Sequence, residues 1–136
     1  MYNWTSDKIV YINTNLSNKI KNKRKGGKTL NTEFKEEDKL LLIQITEEID
    51  HHTTEKLRRK MDYEITRFMP RKVMFDFSKV SFMDSAGIGL LIGRYKLAKM
   101  LGSSTKIINA SQAVKKVLEM SGVVRIIPVE ENRKVG

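Results

Sequence analysis

Apolar and polar positions alternate most clearly from Val73 to Phe77, where Val73, Phe75 and Phe77 fall on one side of an extended chain. This stretch reads as a central strand. Further on the period changes. Ile88, Leu91, Ile92, Tyr95 and Met100 recur at helical spacing, with Arg94, Lys96 and Lys99 between them. Between strand and helix stands Asp84-Ser85-Ala86-Gly87. Asp and Ser favour helix N-termini because their side-chain oxygens accept the first unpaired backbone N–H groups. A strand that enters a helix through this pair puts the Ser85 hydroxyl at the helix N-terminus. The small residues Ala86 and Gly87 leave that hydroxyl open to approach.

The same pattern extends in both directions. Thr32–Lys35 and the apolar run Lys39–Ile45 read as two strands, joined as a hairpin by the polar turn Glu36–Lys39. Glu47–His52 reads as a loop, with Asp50 as N-cap of a helix over Thr54–Phe68. Leu57, Met61, Ile65 and Phe68 form the buried stripe of that helix, and Arg58, Arg59 and Lys60 its solvent face. Pro70 stops it. Downstream, Gly102 closes the helix after Ser85, and Thr105–Asn109 reads as a strand. Ser111 caps a helix over Gln112–Met120, with Val114, Val117 and Leu118 inward. Val123–Val129 reads as a last short strand, with Pro128 at an edge or an end, followed by a polar tail over Glu130–Gly136. Strands alternating with helices predict an α/β fold with parallel crossovers.

Composition narrows the picture. A chain of 136 residues suits one domain. It has no cysteine, which excludes disulfide and thiolate chemistry. No apolar run approaches the roughly 18 residues that span a bilayer, and no signal peptide is evident, so the chain reads as cytoplasmic. The formal net charge of +10 suggests nucleic acid or an anionic surface. Its distribution argues otherwise. Residues 1–29 hold seven Lys/Arg and one acid, a balance of +6, leaving +4 for residues 30–136. The excess lies in a basic N-terminal extension, 1–29, that has little to bury and is expected to be disordered and solvated rather than a nucleic-acid arm. Lys25-Gly26-Gly27 is also what a translated purine-rich ribosome-binding site would encode, with Leu30 close behind it. The expected start of the natural chain is therefore Leu30, with the domain over 30–136.

The candidate chemistry centres on Ser85, and three readings of its turn stand open: an ordinary helix cap, a nucleophilic serine and a phosphorylation site. The nucleophile reading needs a base, and the Gly-x-Ser-x-Gly elbow is absent. The phosphorylation reading fits a helix N-terminus, whose free N–H groups and dipole favour negative charge. Gly87, Gly89 and Gly93 are spaced one residue too widely for a dinucleotide fingerprint, and no Walker A sequence is present. These glycines read as close-packing positions of helix on sheet. His51-His52 invites a metal reading, but adjacent histidines do not converge on one point and no third ligand is evident. No catalytic set, cofactor site or metal site is therefore expected.

The stretch Phe82–Lys96, Phe-Met-Asp-Ser-Ala-Gly-Ile-Gly-Leu-Leu-Ile-Gly-Arg-Tyr-Lys, resembles the signature of the anti-sigma factor antagonists of the STAS domain family. Its Gly93-Arg94-Tyr95-Lys96 ending resembles in particular the sporulation branch, which acts on the forespore sigma factor system. Two further blocks agree, Glu48–Thr53 after the early strand and Ala113–Gly122 in the late helix. The resemblance spans about Leu40 to Ile127. Ala86 departs from it, standing where many relatives carry a second Ser or Thr.

The resemblance implies the STAS fold, a mixed central sheet of about four to five strands packed with about three to four helices. It also implies a non-enzymatic partner switch. The unphosphorylated chain binds an anti-sigma factor that is a serine kinase, and a sigma factor is released. The kinase phosphorylates Ser85 and breaks the complex, and a metal-dependent, PP2C-type serine phosphatase restores it. Asp50, His51, His52, Thr53, Asp84, Ser85, Ala86, Gly87, Ile88, Gly89 and Arg94 form the implied partner-binding surface. Neither direct nucleic-acid nor membrane binding is implied, and the free chain is expected to be a monomer. The alternatives are a STAS module of a stress-signalling scaffold and a ligand-binding STAS domain.

Overall fold

A computed structural model describes residues 30–130. The expectations for residues 1–29 and for the tail beyond Glu130 lie outside them. The chain opens with a hairpin, β1 (Leu30–Lys35) and β2 (Leu40–Ile45), joined at a turn where Lys39 N–H donates to the Glu36 carbonyl at 3.2 Å. Helix α1 (Thr54–Phe68) leads to β3 (Lys72–Asp76). Helix α2 (Ser85–Met100) leads to β4 (Ser104–Ile108), and α3 (Gln112–Ser121) is followed by β5 (Val129–Glu130). The five strands form one sheet in the order β1-β2-β3-β4-β5. Only β1 and β2 are antiparallel; the other three pairings are parallel, as strand–helix–strand connections require. This is the mixed sheet and helix arrangement that the alternating pattern predicts.

Register explains the core. Ile43, Phe75, Ile107 and Val129 align across four strands, as do Leu41, Val73 and Thr105. The first row and its neighbours pack with Leu57, Met61 and Ile65 of α1, Leu90, Leu91 and Ala98 of α2, and Val114 and Leu118 of α3. Leu42 and Ile108 form a second, smaller cluster with Leu40 and Met74. That is the strand period of two, with β2 buried on both faces.

Three helix ends follow from local chemistry. Met69 takes a left-handed conformation (φ 47°) after α1, and its N–H donates to the Ile65 carbonyl; Pro70 then prevents continuation. Ser111 caps α3, its hydroxyl oxygen accepting from Val114 N–H at 3.2 Å. Gly122 closes α3 at φ 83°, a conformation that costs glycine no Cβ clash.

Several expectations change. Val123–Val129 is not one strand. Val123–Arg125 is a turn of 3-10 helix, and only Val129 and Glu130 join the sheet. Val123 and Ile127 are both buried, so the apolar spacing that mimicked a strand is that of a turn packing against the core. Met100, the last residue of α2, is 74% exposed rather than part of the buried stripe. Gly89 and Gly93 do not press against the sheet, since a Cβ at either would meet nothing within 4 Å; only Gly87 is a close-packing position.

Candidate functional site

The site is built where β3 gives way to α2. Asp76, at the end of β3, is buried, and its carboxylate accepts from Ser78 N–H at 2.8 Å and from Asn109 Nδ2 at 3.1 Å. This fixes the departure of the chain from the sheet. Phe77, Val80 and Met83 then turn inward, while Ser78, Lys79, Ser81 and Phe82 stay outside. Asp84 is the N-cap of α2, in extended conformation, and its carboxylate accepts from Ala86 N–H at 2.8 Å. Its carbonyl accepts from Gly87 N–H at 2.9 Å. Ser85 follows as the first residue of the helix and is exposed. The expected placement of its hydroxyl at a helix N-terminus is what the structure has.

A second loop lies against this one. Ile49 pairs with Met83 in a single parallel bridge. Glu48 reinforces it, accepting from the Ser81 hydroxyl at 2.8 Å and from Phe82 N–H at 2.9 Å. Gly87 is buried beneath, and a Cβ there would overlap the Met83 side chain and stand 3.1 Å from Ile49 Cγ2. The glycine is needed because the two loops close over this point.

Asp50 does not cap α1. The N-cap position is Thr53, which makes no side-chain capping bond. Asp50 instead closes its own turn one residue group earlier, its carboxylate accepting from His52 N–H at 2.9 Å and Thr53 N–H at 3.1 Å. The Thr53 hydroxyl donates to the Glu48 carbonyl at 3.0 Å, which knits the loop further. The Thr53 N–H bond, with help from His52, holds the Asp50 carboxyl below its ordinary value of 3.8. His51 and His52 project outward from this turn and are exposed.

The remaining predicted residues divide. Ile88 is half-buried against the core. Ala86, Gly89 and Arg94 line a groove of about 310 Å³ between α1 and α2, together with Gly93 and with Thr54 and Arg58 of α1. Arg94 is 7% exposed rather than a surface cation. Its Nε lies 2.7 Å from an Asp62 carboxylate oxygen on α1, and its Nη1 donates to the Leu90 carbonyl at 3.3 Å. Burial pulls its guanidinium below the usual value, and the Asp62 charge opposes that pull. Arg58 pairs with Glu55 at 2.7 Å on the rim of the groove.

Sequence reading missed Glu48, Asp76 and Asp62. Nothing in a single chain marks an acidic residue that serves a loop 33 or 34 positions away, as Glu48 does. Among the described residues, no group of three or more His, Cys, Asp or Glu side chains is placed to hold a metal ion.

The model of the STAS domain matches residues 31–135. The chain is similar to an anti-sigma F factor antagonist of Paenibacillus polymyxa, with 33% identity over 93 residues covering 68% of this chain and 80% of the relative. It is also similar to an anti-sigma-B factor antagonist of Bacillus subtilis, with 26% identity over 107 residues covering 79% of this chain and 96% of the relative. Among solved structures it resembles the anti-sigma factor antagonist SpoIIAA in its unphosphorylated form, with TM-score 0.65 and 28% identity over 77% of this chain and 89% of that one. Family model, relatives and structural likeness agree, and the chain belongs to the STAS domain family, within the group of anti-sigma factor antagonists.

Proposed function

We propose that the chain is a phosphorylation-controlled partner switch whose unphosphorylated form binds an anti-sigma factor and so frees a sigma factor. The observation that carries this reading is the exposed Ser85 at the Asp84-capped start of α2, with the Asp50–Thr53 turn held beside it through the Ile49–Met83 bridge. Both elements offer one continuous surface to a protein partner. The anti-sigma factor is also the serine kinase. The γ-phosphoryl group leaves ATP as the bond to ADP breaks, a bond to Ser85 Oγ forms, and the hydroxyl proton passes to a base of the kinase. A PP2C-type phosphatase reverses the step. The chain itself contributes no catalytic group.

Phosphate at this point adds about −1.5 to −2 charges at pH 7. The helix N-terminus offsets much of the local cost, so the fold persists. The complex does not, because the new charge meets a desolvated partner surface. The switch operates in the cytoplasm, without nucleic acid or membrane, and the free chain is a monomer. No described helix is long and apolar enough to cross a membrane. Capture from the source cell with unphosphorylated protein tests the reading. Recovery of an ATP-binding serine kinase is expected, and recovery of none, with binding of a small ligand instead, would favour a ligand-binding STAS domain.

A further inference from the structure

Three serines are exposed between the end of β3 and the start of α2, and one of them, Ser78, stands apart just past β3, where its hydroxyl oxygen accepts from Gln44 Nε2 at 3.1 Å. Ser81 and Ser85 are both exposed and lie four positions apart, so exposure does not separate them as phosphate acceptors. Their surroundings do. The Ser81 hydroxyl donates to one oxygen of Glu48 at 2.8 Å, and the other oxygen accepts from Phe82 N–H at 2.9 Å. The carboxylate therefore grips the loop through both of its oxygens. Ser85 is the first residue of α2, where the helix dipole favours negative charge and the neighbouring Asp84 carboxylate is engaged by Ala86 N–H.

We propose that Glu48 is a positioning residue that reserves phosphorylation for Ser85, by holding the Ser81 hydroxyl against a negative charge and pinning the Phe82 backbone. The inference rests on the phosphoswitch reading above. Phosphoryl transfer from ATP needs the acceptor hydroxyl to give its proton to the base of the kinase while its oxygen approaches a highly charged γ-phosphoryl group. At Ser81 the proton is already committed to Glu48. Transfer to Ser81 must first break a charge-assisted hydrogen bond, one of the stronger kinds. At Ser85 the helix end favours the charge that transfer creates.

Pinning Phe82 has a second effect. Its ring is 57% exposed, an unusual display for a phenyl side chain, and its backbone amide is the atom Glu48 holds. The grip thus keeps Ser81, Phe82 and Ser85 in one fixed relation, so that a kinase docked on this face meets Ser85 in register.

The test is the ratio of phosphate at Ser81 to phosphate at Ser85 after incubation with the purified kinase and ATP, mapped by mass spectrometry. Wild type, Glu48→Ala, Glu48→Gln and the double variant Glu48→Ala/Ser85→Ala are compared. The ratio is measured within one pool of molecules, so a change in docking affinity does not move it. It is expected to rise at least ~10-fold in Glu48→Ala, the equivalent of ~1.4 kcal/mol. Glu48→Gln, which removes the charge but keeps an acceptor, is expected to fall between. The double variant is expected to take phosphate at Ser81, and faster amide exchange at Phe82 in Glu48→Ala should accompany it. An unchanged ratio in Glu48→Ala overturns the inference. So does a Glu48→Ala chain that is folded but phosphorylated at neither serine, since Glu48 would then be a kinase contact. Wild type that takes no phosphate at Ser85 overturns the phosphoswitch reading itself.

Discussion

Ile49 and Met83 form a single parallel bridge outside the named strands, and Gly87 lies beneath them with no room for a side chain. This contact joins two loops that are distant in sequence. It makes the Asp50–Thr53 turn and the Ser85 helix start one surface.

Gly87→Ala is therefore expected to destabilise the fold. The added methyl overlaps Met83, which is itself 1% exposed and packed in the core. Overpacking of this kind costs ~1–3 kcal/mol. Denaturant unfolding checks it. Gly89→Ala is the control, because a Cβ there meets nothing within 4 Å. Equal stability of the two variants would show that the bridge region yields freely.

The ion pair between Arg94 and Asp62 joins α2 to α1 below the groove. Arg94→Ala leaves Asp62 without its partner. Because Asp62 remains 32% exposed, water screens part of the loss, and a cost of ~2 kcal/mol is expected rather than that of a fully buried pair. Asp62→Asn in the Arg94→Ala background should then add little, since the two changes remove one interaction. Additive losses in the double-mutant cycle would contradict the coupling.

The Asp50 carboxyl carries a sign for acid stability. Its folded pKa lies below the ordinary value of 3.8, so ionisation favours the folded state. That contribution is complete above the unfolded pKa and is lost as pH falls through the folded one. Asp50→Asn removes the titration but keeps an acceptor for the turn. The stability gap between wild type and Asp50→Asn is expected at pH 7 and should close as pH falls below about 4. Urea midpoints at the two pH values measure it. A gap that widens in acid would contradict the sign.

The fold was legible because its signals are local and repeated. Val73, Phe75 and Phe77 alternate, and Leu57, Met61 and Ile65 recur at helical spacing; all six are buried as their periods require. The Asp84-Ser85 start of α2 was legible for the same reason, since capping acts between neighbours. What escaped acts over distance or depends on context. Arg94 falls among charged neighbours in sequence, yet α1 folds across it and supplies Asp62. Asp50 has the residue type of a helix cap, but its carboxylate closes an earlier turn, and helix initiation passes to Thr53. The Val123–Val129 run has strand composition, but Gly122 redirects the chain and the buried pair Val123 and Ile127 needs a turn.

The proposed switch at Ser85 is tested most directly by titrating the anti-sigma factor with wild type, stoichiometrically phosphorylated wild type, Ser85→Ala and Ser85→Asp. Burying one unpaired charge in the interface costs several kcal/mol, so phosphorylation is expected to weaken binding by more than ~100-fold. Ser85→Ala should bind like unphosphorylated wild type and take no phosphate, while Ser85→Asp should fold normally and bind poorly. Full affinity retained after phosphate is placed on Ser85, or kinase-dependent phosphate found in Ser85→Ala, would contradict the account.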